Sequence, residues 1–200
     1  MKHTITLEPG HYYHIYNRGN NRENIFREER NYAYFLKLYA RHVEPVADTF
    51  AYCLLKNHFH VLVRIKTSRV LETREVSLEP REVMQQFSNL FNAYAKAINK
   101  AYNRTGRLFQ ERFGRIEVTS DRYFVALVYY IHRNPQKHGL VKDFREWLYS
   151  SYHAHLSSTA TRLKRDEVLA WFSGKEQFAT AHKREIDEQQ ILPLVPDDFD

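Results

Sequence analysis

At 200 residues the chain is long enough for one domain with an appendage, and it can bury a core without disulfides or a structural metal. Its hydrophobic share of 43% and charged share of 27%, with 6 Gly and 6 Pro, exclude global disorder and low complexity. The lone cysteine, Cys53, excludes an internal disulfide framework and suits a reducing, cytoplasmic setting. No apolar run approaches the ~18 residues of a membrane span, and the opening MKHTITLEPG lacks the apolar centre of a secretion signal.

The net charge of +6 is unevenly spread. From Lys183 to Asp200 six acidic residues face two basic ones, so the rest of the chain is more basic than the total suggests. A basic body favours a polyanion, nucleic acid above all, because neutralising phosphates releases counterions; the plainer role of such charge is solubility.

In chain order, Tyr12 to Asn17 reads as a first strand ending at the turn signal Arg18-Gly19-Asn20-Asn21. Tyr32, Phe35, Leu36, Tyr39 and Val43 recur at helical spacing, and Pro45 ends the pattern. Thr49 to Leu55 and His58 to Ile65 follow as an antiparallel pair joined at Lys56-Asn57. Thr67 to Glu79 is polar and mixed, which predicts a loop. Pro80 opens a helix whose stripe is Val83, Phe87, Leu90, Phe91, Tyr94 and Ile98. Asn103 to Phe113 reads as a basic loop around Gly106, and Arg115 to Thr119 as a short strand with Ile116 and Val118 on one side. Ser120 caps a further helix that buries Phe124, Leu127, Val128 and Ile131, and Pro135 and Gly139 close it.

The order β-α-β-β-α-β-α predicts an α+β fold of ferredoxin-like type: a four-stranded antiparallel sheet with helices on one face, and a last helix that must go elsewhere. Beyond it lie Trp147, Tyr149 and Tyr152, a helix from Arg165 to Phe172, and a tail.

Period-two alternation sends His58, His60, Leu62 and Arg64 to one face of their strand and Leu55, Phe59, Val61, Val63 and Ile65 to the other. Two imidazoles at neighbouring same-face positions can share one cation, although such pairs also occur incidentally. The helix from Ser120 to Asn134 offers an oxygen donor, since Tyr130 and Asn134, four apart, share a stripe beside its apolar face, with Tyr123 further along it. Either Tyr129 or Tyr130 is the packed residue and the other looks out. Arg104, Arg107, Arg112 and Arg115 against Glu111 give the loop a net charge of +3 within twelve residues, which suits phosphate and guanine contacts. Phe109 offers a face to an unpaired base, or else Phe109 and Phe113 anchor the loop. Arg18 and Arg22, after the first strand, and Lys137 with His138, after the last helix, are further phosphate contacts. His14 suits a structural hydrogen bond, and His132, two positions from Tyr130, lies on a different helical face.

Four segments in order carry a resemblance: Tyr13-His14-Ile15-Tyr16-Asn17-Arg18-Gly19; Lys56-Asn57-His58-Phe59-His60; Gly106 through Phe113 (GRLFQERF); and Tyr130 through Val141 (YIHRNPQKHGLV). With Trp147 and Ser150-Ser151-Tyr152 they resemble the single-tyrosine HUH transposases, in particular the REP-associated tyrosine transposases, over about residues 11 to 153. The resemblance implies a catalytic domain over 1–153; it does not reach 154–200, which the sequence pattern reads as an accessory helical extension with an acidic tail. It implies a transposase or endonuclease that cuts and rejoins single-stranded, hairpin-containing DNA through a 5′-phosphotyrosine. Tyr130 would be the nucleophile, His58, His60 and Asn134 the metal ligands, and Mg²⁺ or Mn²⁺ the cofactor. Relatives often carry a longer Gln where this chain has Asn134, and Pro135 beside it biases Asn134 away from helical angles. The oligomeric state is open between monomer and homodimer. A domesticated relative that nicks repeats, and a non-catalytic nucleic-acid-binding module on the same sheet, are the competing readings.

Overall fold

The expected first strand forms as β1 (Tyr12–Arg18) and lies inside the main sheet of the computed structural model, which describes residues 5–71 and 74–183. Helix α1 (Glu29–His42), strands β2 (Ala47–Leu54) and β3 (His58–Ile65), a hairpin of β4 (Ser68–Leu71) and β5 (Arg74–Ser77), helix α2 (Pro80–Ala101), strand β6 (Gly114–Val118) and helix α3 (Asp121–Lys137) follow. The four long strands form one antiparallel sheet in the order β2-β3-β1-β6, which is the ferredoxin-like α+β arrangement.

Local chemistry sets the helix starts. Capping boxes at Glu28 with Asn31 and at Glu79 with Glu82 satisfy the first amides of α1 and α2, and Ser120 Oγ accepts the Tyr123 N–H at the start of α3. The sheet then separates two cores. Tyr13, Ile15, Phe59, Val61 and Val63 pack with Phe35 of α1 and with Phe87 and Tyr94 of α2. On the other face Phe50, Cys53 and Leu62 pack with Phe124, Leu127 and Ile131 of α3. The last helix thus covers the face that α1 and α2 leave open.

Three C-terminal helices, α4 (Tyr152–Leu156), α5 (Arg165–Trp171) and α6 (Lys175–Lys183), join this second core through Tyr152, Val168, Phe172 and Phe178. The chain before α5 also covers the β2 edge of the sheet. Leu54 N–H donates to Tyr149 O, Ser151 N–H to Tyr52 O and Lys164 N–H to Thr49 O, each at 2.9 Å. An open row of strand amides and carbonyls is thereby closed to other chains.

Four expectations need correction. Thr67 to Glu79 is not a loop throughout but contains the β4–β5 hairpin. Its exposed residues, with Val70 at 71%, bury no face, so no apolar alternation marks it in the sequence. Leu55 is buried, but on the α3 side; the backbone leaves the strand after Leu54, and the alternation of β3 does not extend back through the turn. Helix α3 continues through Pro135 to Lys137. Proline sits there in the last turn, where the helix is already ending, and His138 N–H donating to Asn134 O closes that turn. Finally, α4 and α6 appear as helices too short to leave a periodic signal.

Candidate functional site

The site forms where the C-terminal end of β1, the N-terminal end of β3 and the C-terminal half of α3 meet. Register pairs Arg18 with His58 and Tyr16 with His60, so the even-numbered side chains of both strands line the face beneath α3. The His58 and His60 ring centroids lie 5.1 Å apart, nearly perpendicular. Tyr130 lies above them, its ring 5.5 Å from that of His60 and 6.4 Å from that of His14. Tyr129 turns the opposite way, to His182 of α6 and under the Arg133 guanidinium. Both tyrosines are buried, so neither looks out to solvent as the sequence suggests; they differ in which side of α3 they pack against. One chain supplies every one of these groups.

Each histidine has a partner that fixes its ring. His58 Nδ1 lies 2.7 Å from Asn57 Oδ1. A carbonyl oxygen only accepts, so Nδ1 carries the proton and Nε2 keeps its lone pair. His60 Nδ1 and His14 Nε2 are 2.9 Å apart, and with His60 as donor the same tautomer results. His14 therefore makes the buried hydrogen bond its position suggests. Burial, reinforced by His138 and Arg18, pushes the His58 pKa down to about 3 against the opposing effect of Asn134. Burial also holds His60 well below the ordinary imidazole range, with His14, His58, His138 and Lys137 acting in the same direction. Both rings are neutral at pH 7, which is the form that binds a cation.

Asn134 is buried on the same helix one turn beyond Tyr130, and its Nδ2 donates to Tyr130 O at 3.1 Å. Its Oδ1 makes no hydrogen bond of good geometry among the described residues and lies near enough to favour protonated His58. A buried amide oxygen beside two neutral imidazoles is a mixed nitrogen and oxygen donor set that Mn²⁺ or Mg²⁺ accepts. The described residues contain no group of three His, Cys, Asp or Glu side chains placed to hold a metal.

The remaining residues divide. Lys137 Nζ lies 5.7 Å from the Tyr130 ring centroid, closer to the site than a remote phosphate contact. Arg18 is buried beside His58, whereas Arg22, Arg107 and Arg112 are exposed. Arg107 is 68% exposed and 3.4 Å from Glu111, a pair too solvated to hold it. Arg104 is not a surface group: it pairs with Glu23 and with Asn99 Oδ1 at 2.7 Å, and its side chain is only 11% exposed. Arg115 lies on the opposite face of the sheet, 4.8 Å over the Phe113 ring and against Met84 of α2. Phe109 is 7% exposed and packs on Phe59, Phe91 and Tyr94, so it anchors the loop and does not present a face to a base. In these three positions the net charge of a loop conceals which side chains the fold consumes.

Sequence spacing gives Asn57 only a place in the turn, whereas it sets the His58 tautomer, and gives His138 as a phosphate contact, whereas its ring lies 4.9 Å from that of His58. It misses Gly114, opposite Tyr16 in the register: a Cβ there would lie 1.9 Å from the Tyr16 ring, which lies tilted beside that of His14 with centroids 5.0 Å apart. Only glycine lets that ring fold across β6.

No protein-family model matches the chain. A Haemophilus influenzae protein described as a REP-associated tyrosine transposase is 26% identical over 106 residues, which is 53% of this chain and 59% of that protein. This chain therefore matches less than two thirds of that relative's length. A solved structure, that of a REP-associated tyrosine transposase bound to a REP hairpin, superposes with a TM-score of 0.60 at 16% identity, over 79% of this chain and 86% of the other. The resemblance carried by the motifs thus recurs in sequence and in fold. No described helix is long and apolar enough to cross a membrane.

Proposed function

We propose that this chain, which resembles the REP-associated tyrosine transposases in motif order, sequence and fold, is a metal-dependent endonuclease and strand transferase acting on single-stranded, hairpin-containing DNA. The observation that carries the reading is the Tyr130 ring standing 5.5 Å from the His60 ring, above a pair of neutral histidines. The hairpin preference is supported by the hairpin in the structural neighbour.

A phosphodiester resists attack because its anionic oxygens repel a nucleophile. His58, His60 and Asn134 would hold Mg²⁺ or Mn²⁺, which when bound neutralises that charge and orients the phosphate. The Tyr130 phenolic oxygen forms a bond to phosphorus as the bond from phosphorus to the 3′ oxygen breaks. The phenol gives up its proton and the leaving 3′ oxygen gains one, so the products are a 5′-phosphotyrosine and a free 3′-hydroxyl. The phosphate ester bond is exchanged rather than hydrolysed, and the strand can be rejoined. A phenol is mostly protonated at neutral pH, and Lys137 near the ring favours the developing phenolate. Arg18, Arg22, Arg107 and Arg112 supply positive charge along the strand's path.

Incubating the protein with an end-labelled hairpin oligonucleotide and Mn²⁺, followed by a denaturing gel, tests the reading. A protein–DNA adduct is expected, lost on chelation and lost in Tyr130→Phe, which still binds the oligonucleotide. An adduct unchanged in Tyr130→Phe would overturn it, and binding with no adduct in any metal would leave a non-catalytic binding module.

A further inference from the structure

A cleft of about 520 Å³ lies on the α1 side of the sheet, at the β2 edge, so the sheet separates it from Tyr130. Its floor is Leu54 and Val61, one wall is Phe35 and Leu36 of α1, and the other is Ala154 and Leu163 of the C-terminal extension. Hydrogen bonds hold that second wall in place. Lys164 N–H donates to Thr49 O at 2.9 Å, and Arg165 Nε donates to Ala154 O at 2.8 Å. At the rim Arg162, with 73% of its side chain exposed, reaches the Glu44 carboxylate at 3.0 Å. A pair so solvated contributes little and opens readily, which gives the cleft an entrance. A concave apolar site of this volume, framed by two units of the chain, has the size and shape that hold a small molecule.

The polar groups narrow the ligand. Glu44 and Arg162 are the charged residues of the lining, and they neutralise one another. The interior offers hydroxyls instead. Those of Tyr39 and Thr49 are 2.8 Å apart, and whichever donates, the other keeps its own proton. The Tyr52 phenol is half-buried, and its hydroxyl makes no hydrogen bond among the described residues. Burial, with Cys53 adding to it, pushes its pKa up, so it stays protonated and remains a donor. A tyrosine hydroxyl drawn into a protein usually has an acceptor to serve. We propose that this cleft binds a small uncharged ring molecule, its apolar body on Leu54 and Val61 and its carbonyl or ring-nitrogen acceptor on the Tyr52 hydroxyl. A phosphate would meet no cation here that is not already paired, which sets this ligand apart from the DNA strand at Tyr130. Because the walls come from α1 and from the chain leading to α5, an occupant fastens the extension to the sheet.

The test is a fluorescence titration of the full chain with two uncharged dyes. Nile red carries a carbonyl acceptor, whereas the one polar group of N-phenylnaphthylamine is a donor. Wild type should bind each saturably. Ala154→Phe places a ring in the cleft and should weaken both dyes by more than about tenfold, with the denaturant melt confirming that the variant is folded. Tyr52→Phe removes a hydroxyl that no described residue uses, so the fold is spared. It should weaken Nile red by about five- to tenfold and leave N-phenylnaphthylamine unchanged. No saturable binding of either dye, or unaltered affinities in folded Ala154→Phe, would overturn the site. Equal Nile red affinity in wild type and Tyr52→Phe would overturn the assigned ligand chemistry, and this comparison decides alone if Ala154→Phe does not fold. Adduct formation at Tyr130 is read separately, and its failure would leave these outcomes as they stand.

Discussion

Two groups of buried histidines lie on opposite sides of helix α3, and their difference shows what separates a candidate site from a packed core. His14, His58 and His60 lie toward the sheet beside Tyr130, Asn134, Arg18 and the exposed Lys137. His132, His155 and His182 lie on the far side, enclosed by Phe144, Tyr152 and Phe178. In the second group His132 Nδ1 is 2.8 Å from His182 Nε2, and its Nε2 is 2.7 Å from Ser151 Oγ. Burial pushes the pKa of His155 and of His182 down to about 4 and holds His132 well below the ordinary range. Low pKa and burial are thus common to both groups. Each group also has a tyrosine and a cation, Tyr130 with Lys137 in the first and Tyr152 with Arg133 in the second; the first adds the buried amide oxygen of Asn134 and lies beside Arg18 at one end of the sheet.

The strongest way to separate the two groups is to remove one member of each. His60→Ala should reduce metal-dependent adduct formation to background while the protein stays folded. His132→Ala should leave adduct chemistry in place and lower stability by about 2–4 kcal/mol, since it empties a packed site and strands Ser151 and His182. Denaturant melts alongside the adduct assay check both, and the opposite pattern would break the contrast.

Acid sharpens it further. His155 and His182 are neutral in the folded protein, with pKa values below those of the unfolded chain. The unfolded state therefore takes up protons first as pH falls. Stability holds above pH ~6.5 and declines between there and about 4, by up to roughly 3 kcal/mol for each residue. Thermal melts across this range should show the decline, and His182→Gln should flatten it; a Tm independent of pH in that window would contradict the account.

Smaller effects probe how the first group is held. His14→Ala removes the partner of His60 Nδ1 and should weaken apparent Mn²⁺ affinity by about 10–100-fold, measured as the metal dependence of adduct yield. Gly114→Ala would force the Tyr16 ring aside and should destabilise by roughly 1–3 kcal/mol, with a lower adduct yield. The smallest change is expected of Lys137→Gln, which should reduce the slope of log affinity against log salt by about 0.7–0.9.

Much of this arrangement was legible in the residues. The alternation of His58-Phe59-His60 against its core neighbours placed both imidazoles on one face, because a strand's period of two is rigid wherever the opposite face is buried. The stripe of Tyr130 and Asn134 followed from helical spacing, but spacing did not decide between Tyr129 and Tyr130. Packing buries both, and they differ in what they meet: Tyr129 faces His182 of the C-terminal helices and Tyr130 faces His60. The basic loop was visible as charge, but not that Arg104 is drawn to Glu23, Arg115 to Phe113, or Phe109 into the core. Those outcomes depend on partners distant in sequence, as does the clearance that Gly114 gives Tyr16. The β4–β5 hairpin was hidden because a ribbon with no buried face leaves no periodic trace.

The central claim is that the Tyr130 oxygen, among 14 tyrosines, is the one placed to attack DNA phosphorus. Proteolysis of the trapped protein–DNA adduct followed by mass spectrometry measures this directly. The account predicts a nucleotide phosphate on the peptide carrying Tyr130, with fragment ions assigning it to that residue and leaving Tyr129 unmodified. Attachment at Tyr129, at Tyr16 or at any other side chain would contradict it.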